Sequence, residues 1–149
     1  MLYFSGTAIV ECVNAAYNLY IDIMGRRPAP MLADYKELIS NNFVFIVTDR
    51  DELKGLIVGL IVLIPKDNYL LIENVAVHPT FQGQGIGRKL IEFAMSFAKE
   101  ALFQEVRLYT NEFMTENLAY YPKLGFFELG RRTEDGYRRV YMSKPLIPY

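Results

Sequence analysis

Between an apolar run ending at Val77 and an amphipathic stretch that starts near Gly85 stands the segment Gln82-Gly83-Gln84-Gly85-Ile86-Gly87, in which three glycines alternate with larger residues. Glycine has no Cβ, so such a segment lets a ligand come close to its backbone and tolerates left-handed conformations. At the start of a helix the first N–H groups have no intrahelical acceptor, and the helix dipole favours negative charge there. A phosphate, and most naturally a pyrophosphate, is the ligand this arrangement suits. The competing reading is a glycine-rich turn needed only for close strand-to-helix packing. Two nucleotide motifs fit poorly. No Gly-Lys-Ser or Gly-Lys-Thr ending completes a Walker loop. A dinucleotide fingerprint puts two residues between its last two glycines and an acid at the end of the next strand, whereas only Ile86 intervenes here and Glu105 begins that strand.

Other chemistry-bearing residues are few. Glu73 and Asn74 interrupt an otherwise apolar strand and need a reason to be there; strand alternation sends them to opposite faces, so only one can face a substrate. Cys12, the only cysteine, excludes an intrachain disulfide and a cysteine-based metal cluster and fits a reducing, cytoplasmic setting. It reads as a buried small hydrophobe on a helix rather than a covalent acyl carrier. His78, the only histidine, lacks the companions a zinc site needs and stands before Pro79 at a strand exit. No metal is expected.

The composition narrows the partners. A net charge of −1 offers no field for a polyanion, and no basic run marks a nucleic-acid tail, so nucleic acid is not expected as a partner. The longest apolar stretch, Leu56 to Pro65, is too short to span a bilayer and is interrupted by Gly59, and the N-terminus lacks the basic start of a signal peptide. With 149 residues, 52% of them hydrophobic, and no linker or repeat, residues 1–149 are expected to form one domain around one core.

The elements that must position these residues follow from periodicity. Apolar spacing at three and four predicts a helix from Ala8 to Met24, ended by Gly25, and a second from Met31 to Ser40 beyond the basic, proline-containing loop Gly25 to Pro30. Residues 2 to 5 carry a weak strand signal. Phe43 to Thr48 and Gly55 to Ile64 read as a hairpin around Asp49-Arg50-Asp51-Glu52, and Tyr69 to Val77 as a central strand covered on both faces. The broad apolar stripe from Gly85 to Leu102 predicts the most secure helix. A strand from Glu105 to Tyr109 follows, then a short helix from Thr115, a candidate N-cap, to Lys123. A last hairpin, Phe126 to Arg131 with Tyr137 to Met142, turns at Asp135-Gly136.

Taken together, these residues resemble the GNAT superfamily of N-acetyltransferases. The family's central motif, Gln or Arg, two residues, Gly, one residue, then Gly or Ala, is matched throughout by Gln82 to Gly87, with Val75-Ala76-Val77-His78-Pro79 as its lead-in. Tyr121-Pro122-Lys123-Leu124-Gly125-Phe126 is similar to the family's tyrosine helix running into Gly-Phe, and the order of elements agrees over nearly the whole chain.

The resemblance implies an α/β (α+β) fold with a mixed, mostly antiparallel central sheet flanked by helices and a V-shaped opening between the two central strands. It implies acetyl-CoA as co-substrate, with coenzyme A as product. Gln82, Gly83, Gln84, Gly85, Ile86, Gly87 and Arg88 would hold the pyrophosphate; Val75 and Val77, with Ala76 between them, would offer main chain to the pantetheine arm. The family's asparagine seven residues before the tyrosine is replaced here by Met114, while Asn117 stands four before Tyr121 on the same helix face and is the substitute candidate for cofactor contact. An alkylamine, with a pKa of roughly 10.4, must lose a proton before it attacks a thioester. Glu73, or a water relay, is the candidate base, and Tyr121 the candidate acid for the departing thiolate. The acceptor is a primary amine on a small molecule, peptide or protein; oligomeric state, a homodimer included, stays open. The alternative is a non-catalytic acyl-CoA sensor or regulatory module on the same fold, which would keep the glycine loop without needing Glu73 or Tyr121.

Overall fold

A computed structural model of the chain describes residues 6–41, 43–49 and 56–146. The expected strand at residues 2 to 5 and most of the turn after Asp49 lie outside the described residues. The first helix, α1 (Gly6–Tyr17), buries Ile9, Cys12, Val13 and Ala16, the three-and-four spacing of one helical face. It does not run on to Met24 as the periodicity predicts. A turn at Asn18 and Leu19 separates it from a short helix, α2 (Tyr20–Met24), which buries none of its residues and so has no apolar face to keep it in line with α1. Gly25, at φ 74°, closes α2 with its N–H on the Ile21 carbonyl.

The expected helix from Met31 to Ser40 is also two pieces. A 3-10 turn spans Ala29–Leu32 and Ala33 is extended. Asp34 then caps α3 (Tyr35–Ser40), its side chain accepting from the Glu37 N–H at 3.2 Å. A short carboxylate that can satisfy a helix start outcompetes continuation of the preceding turn.

Six strands form the sheet: β1 (Val44–Thr48), β2 (Ile57–Pro65), β3 (Tyr69–Val77), β4 (Glu105–Asn111), β5 (Phe127–Glu134) and β6 (Tyr137–Pro145), in the order β1-β2-β3-β4-β6-β5. The sheet is mixed and mostly antiparallel, as expected. β1 and β2 pair antiparallel, Val44 opposite Val62 and Val47 opposite Gly59, with a bulge before Thr48. β3 and β4 are parallel, from Tyr69 opposite Glu105 to Ile72 opposite Leu108. The β5–β6 hairpin turns at Asp135 (φ 52°) and Gly136 (φ 82°), the two positive φ values of the tight turn that Asp-Gly favours. Both of its strands run three residues beyond the expected ends.

Two further helices carry the motifs. α4 (Ile86–Glu100) buries Leu90, Ile91, Ala94 and Ala98. It ends with Leu102 at φ 63° and with Phe103 N–H on the Ala98 carbonyl, a left-handed cap in which a non-glycine residue accepts some strain. α5 (Thr115–Lys123) starts one residue after Met114, which occupies the N-cap position expected for Thr115.

The backbone groups into two compact units, one made of the described parts of Met1–Leu63 with Asn74–Glu92, the other of Ile64–Glu73 with Phe93–Tyr149. The first buries Val13, Leu60, Ile61 and Val62; the second buries Leu70, Val106, Leu108 and Val140. The division falls within β3, between Glu73 and Asn74, the two residues that stood out in the sequence.

Candidate active site

In the first unit β3 leads through a 3-10 turn, Pro79–Phe81, into the glycine segment. His78 closes the strand on both sides: its N–H donates to the Val58 carbonyl at 2.8 Å, and its Nδ1 accepts from Thr80 N–H at 3.2 Å. The lone histidine is thus a capping group. Gly83 and Gly85 adopt φ of 83° and 79°, and a Cβ built on either would stand in open space with nothing within 4 Å. The backbone there is left-handed and uncovered, a cradle that side chains would fill. The first α4 bond runs from Lys89 N–H to the Gly85 carbonyl, so the N–H groups of Ile86, Gly87 and Arg88 have no intrahelical acceptor. This arrangement fits a pyrophosphate.

Three predicted residues meet around the strand end. Gln82 Nε2 donates to the Val77 carbonyl at 3.2 Å, and a Cβ on Gly87 would lie 3.6 Å from Val77 Cγ2. Gln82 therefore ties the loop to the strand. Arg88 points outward, 67% exposed, and pairs with Glu92 four residues on at 3.3 Å. An exposed pair of this kind is worth only about 0.3–0.5 kcal/mol, so a bound anion can recruit the guanidinium cheaply. Ala76 differs from its neighbours. Its carbonyl lies 3.2 Å from where a Gly59 Cβ would be, on the side of the strand that faces β2.

Periodicity did not disclose the hydrogen-bond network around Asn74, which is only 5% exposed. Tyr17 Oη lies 2.6 Å from Asn74 Oδ1 and 2.9 Å from the Val75 carbonyl, and its single proton serves one of them at a time. Asn74 Nδ2 donates to Tyr35 Oη at 2.9 Å, and Tyr35 Oη donates to the Pro30 carbonyl at 2.5 Å. The Gly25 to Pro30 loop is thereby tied through α3 to the inner strand. The signal was in the sequence as a polar residue in an apolar strand; β3 is fully buried on one face only, not on both as expected, and Asn74 lies on that face with remote tyrosines as partners.

In the second unit Glu73 Oε1 accepts a 2.6 Å hydrogen bond from Tyr109 Oη. Burial, reinforced by this carboxylate, drives the Tyr109 phenol far above the usual tyrosine range, so it remains a donor at neutral pH. The Arg139 guanidinium lies 4.5 Å over the Tyr109 ring and bonds Glu134, which also accepts from Tyr141 Oη at 2.6 Å. Asn117 Nδ2 donates to Thr110 Oγ1 at 3.1 Å, anchoring the first turn of α5 to β4. Tyr121 packs edge-on to Phe126 with ring centroids 5.8 Å apart, and its carbonyl accepts from the N–H groups of Leu124 and Phe126. Gly125 (φ 99°) leaves room for Lys144, whose Cε would stand 3.1 Å from a Cβ there and whose Nζ donates to the Leu124 carbonyl at 2.7 Å. The Gly-Phe step thus locks the end of the tyrosine helix.

Cys12 is buried, and burial, opposed in part by a hydrogen bond with the His78 backbone, pushes its thiol up to about 11. A protonated thiol is a poor nucleophile at neutral pH. Among the described residues no group of three or more His, Cys, Asp or Glu side chains could hold a metal ion, and no described helix is long and apolar enough to cross a membrane.

Comparison with known proteins is consistent with this geometry. The profile of the acetyltransferase (GNAT) domain family matches residues 40–128. Rat (Rattus norvegicus) N-acetyltransferase family 8 member 3 is 32% identical over 85 residues, which are 53% of this chain and 37% of that protein, so the chain spans well under half the length of this curated relative. The ribosomal-protein-S18-alanine N-acetyltransferase of Escherichia coli superposes with a TM-score of 0.70 over 97% of this chain and 91% of its own, at 21% identity. A putative streptothricin acetyltransferase from Bacillus anthracis, solved with acetyl coenzyme A, superposes with a TM-score of 0.64 over 77% of this chain and 69% of its own, at 24% identity. Both structures share the fold.

Proposed function

The chain belongs to the GNAT acetyltransferase family, and we propose that it transfers an acetyl group from acetyl-CoA to a primary amine by direct attack. The observation that carries this reading is the cradle at Gly83 and Gly85, left-handed, open, and set at the start of the 15-residue helix α4. Backbone N–H groups from Gly83 to Gly87 receive the pyrophosphate, with Gln82 and Gln84 flanking it and Arg88 turning from Glu92 to add charge. Main chain at Val75 and Val77 holds the pantetheine arm, Ala76 contributing through its place between them. Asn117, at the start of α5, is the side chain assigned to further cofactor contact.

In the chemical step Glu73 takes a proton from the acceptor ammonium, the nitrogen lone pair forms a bond to the thioester carbon, and the tetrahedral oxyanion collapses with loss of the C–S bond. Two protons leave the nitrogen in all. Glu73 passes the first to solvent, Tyr121 gives its own phenolic proton to sulfur, and the second restores the phenol through solvent. Cys12 has no part in this scheme. Cys12→Ala is expected to keep its single-turnover rate within about threefold; an abolished rate in a folded variant points to an acyl-enzyme instead. The lone buried thiol suits a reducing, cytoplasmic setting.

Acceptor choice is assigned to the Gly25 to Pro30 loop, which hydrogen bonds tie to Asn74, the neighbour of Glu73 in β3. Loops on a rigid scaffold commonly set specificity. Replacing Arg26 and Arg27 with Ala should change the KM of the acceptor while acetyl-CoA affinity stays within about twofold. Unchanged KM values for every active amine would remove the loop from recognition. The cofactor itself is tested by calorimetry: acetyl-CoA should bind more tightly than ATP or NAD, and the reverse order would make this a nucleotide-binding domain.

A further inference from the structure

We infer that Tyr109 is a positioning residue for Glu73, fixing the carboxylate so that one oxygen is engaged and the other is presented to the acceptor N–H. The inference rests on the proposed role of Glu73 as proton acceptor. It starts from register. Partners in the parallel β3–β4 ladder differ by 36 residues, from Tyr69 and Glu105 to Ile72 and Leu108, and Glu73 and Tyr109 continue the same offset. The two side chains meet because adjacent parallel strands place them side by side on one face.

The 2.6 Å contact is a donor on a carboxylate, the charge-assisted class that is roughly twice as strong as a neutral hydrogen bond. It engages Oε1 and leaves Oε2 for an incoming N–H. Because the phenol holds its proton at neutral pH, Tyr109 orients the base without replacing it. The tyrosine is itself held from β6. Arg139, 16% exposed, covers its ring at 4.5 Å, while Glu134 on β5 grips the guanidinium at 3.2 Å. Tyr141, the other titratable group facing the ring among the described residues, packs 5.7 Å from it and spends its own hydroxyl on Glu134. The β5–β6 hairpin therefore sets the geometry of Glu73 through one aromatic ring.

Tyr109→Phe keeps the ring, its packing and the guanidinium contact, and removes only the hydroxyl. A hydrogen bond to a charged group is worth about 1.5–3 kcal/mol, so kcat should fall about 10- to 100-fold while the KM for acetyl-CoA holds within about twofold. Tyr141→Phe is the matched control. It deletes a bond of equal length, from β6 to β5, without touching Glu73 and should stay within about threefold of wild type. Tyr109→Phe should also add little in a Glu73→Gln background, because the amide is no base and leaves the phenol no proton acceptor to orient. An impaired Glu73→Gln beside a fully active Tyr109→Phe overturns this inference alone. A fully active Glu73→Gln overturns the role of Glu73 and this inference with it. A measurement independent of turnover uses protein labelled with 13C at the tyrosine Cζ. Glu73→Gln should shift the Tyr109 resonance and leave that of Tyr141 in place, and an unmoved Tyr109 resonance contradicts the proposed coupling.

Discussion

Tyr121→Phe should slow single-turnover acetyl transfer near pH 7 by about 10²- to 10⁴-fold, the usual contribution of a general acid, with acetyl-CoA affinity within a few-fold of wild type. The variant keeps the edge-on contact with Phe126 at 5.8 Å and the neighbouring contact with Tyr120 at 5.5 Å, so packing changes little and the missing hydroxyl carries the defect. The main chain adds to this confinement, since the Tyr121 carbonyl receives two N–H groups where α5 ends. A thiol like free cysteine has a pKa of about 8.5, so the leaving group departs increasingly unaided as pH rises past that value and the defect should shrink in alkaline buffer. Tyr120→Phe, whose ring is partly exposed, is the control and should react at the wild-type rate. A defect in Tyr120→Phe with normal Tyr121→Phe would assign the acid to the neighbouring tyrosine; normal rates in both would remove tyrosine acid catalysis.

The second large effect belongs to the glycine loop. Gly85→Val should weaken acetyl-CoA binding by about 100-fold or more, because displacing even two backbone N–H contacts to a charged phosphate loses about 1.5–3 kcal/mol each. Valine at φ 79° is also strained in the free protein, by about 1–2 kcal/mol, which most folds of this size survive. That strain has a built-in control. Gly25 has φ 74° and equally open surroundings, so Gly25→Val incurs a similar strain away from the cofactor loop and should leave acetyl-CoA affinity unchanged. Calorimetry on both variants decides the matter. Equal affinities for Gly85→Val and wild type would move the phosphate elsewhere.

Much of the candidate site could be named from the sequence because its parts are local. Three alternating glycines after an apolar strand and before an amphipathic helix place a backbone cradle without any long-range information, and Gly83 and Gly85 do adopt the left-handed conformations that such a cradle needs. Alternation also separated Glu73 from Asn74 correctly, the first half-buried beside Tyr109 and the second buried beneath Tyr17 and Tyr35. What could not be read was pairing over distance. The offset that joins Glu73 to Tyr109 depends on which strand lies beside β3 and in what register, and an apolar pattern of period two fits many registers equally well. The tyrosines around Asn74 come from two separate helices, and helical spacing alone gives neither of them a partner in β3. Helix ends were misplaced for a different reason: α2 buries nothing and Asp34 restarts the chain as a capped helix, effects of burial and local hydrogen bonding that override periodicity.

The most direct test of the central claim is stoichiometry. The pure protein is incubated with acetyl-CoA and a panel of small amines, peptide N-termini and lysine peptides, and free thiol and N-acetylated product are counted in the same samples. The account predicts that at least one acceptor gives equal amounts of thiol and acetylated amine, with wild type far faster than Tyr121→Phe. Saturable acetyl-CoA binding with neither product across the whole panel would contradict it and make the chain a sensor of acyl-CoA rather than an enzyme.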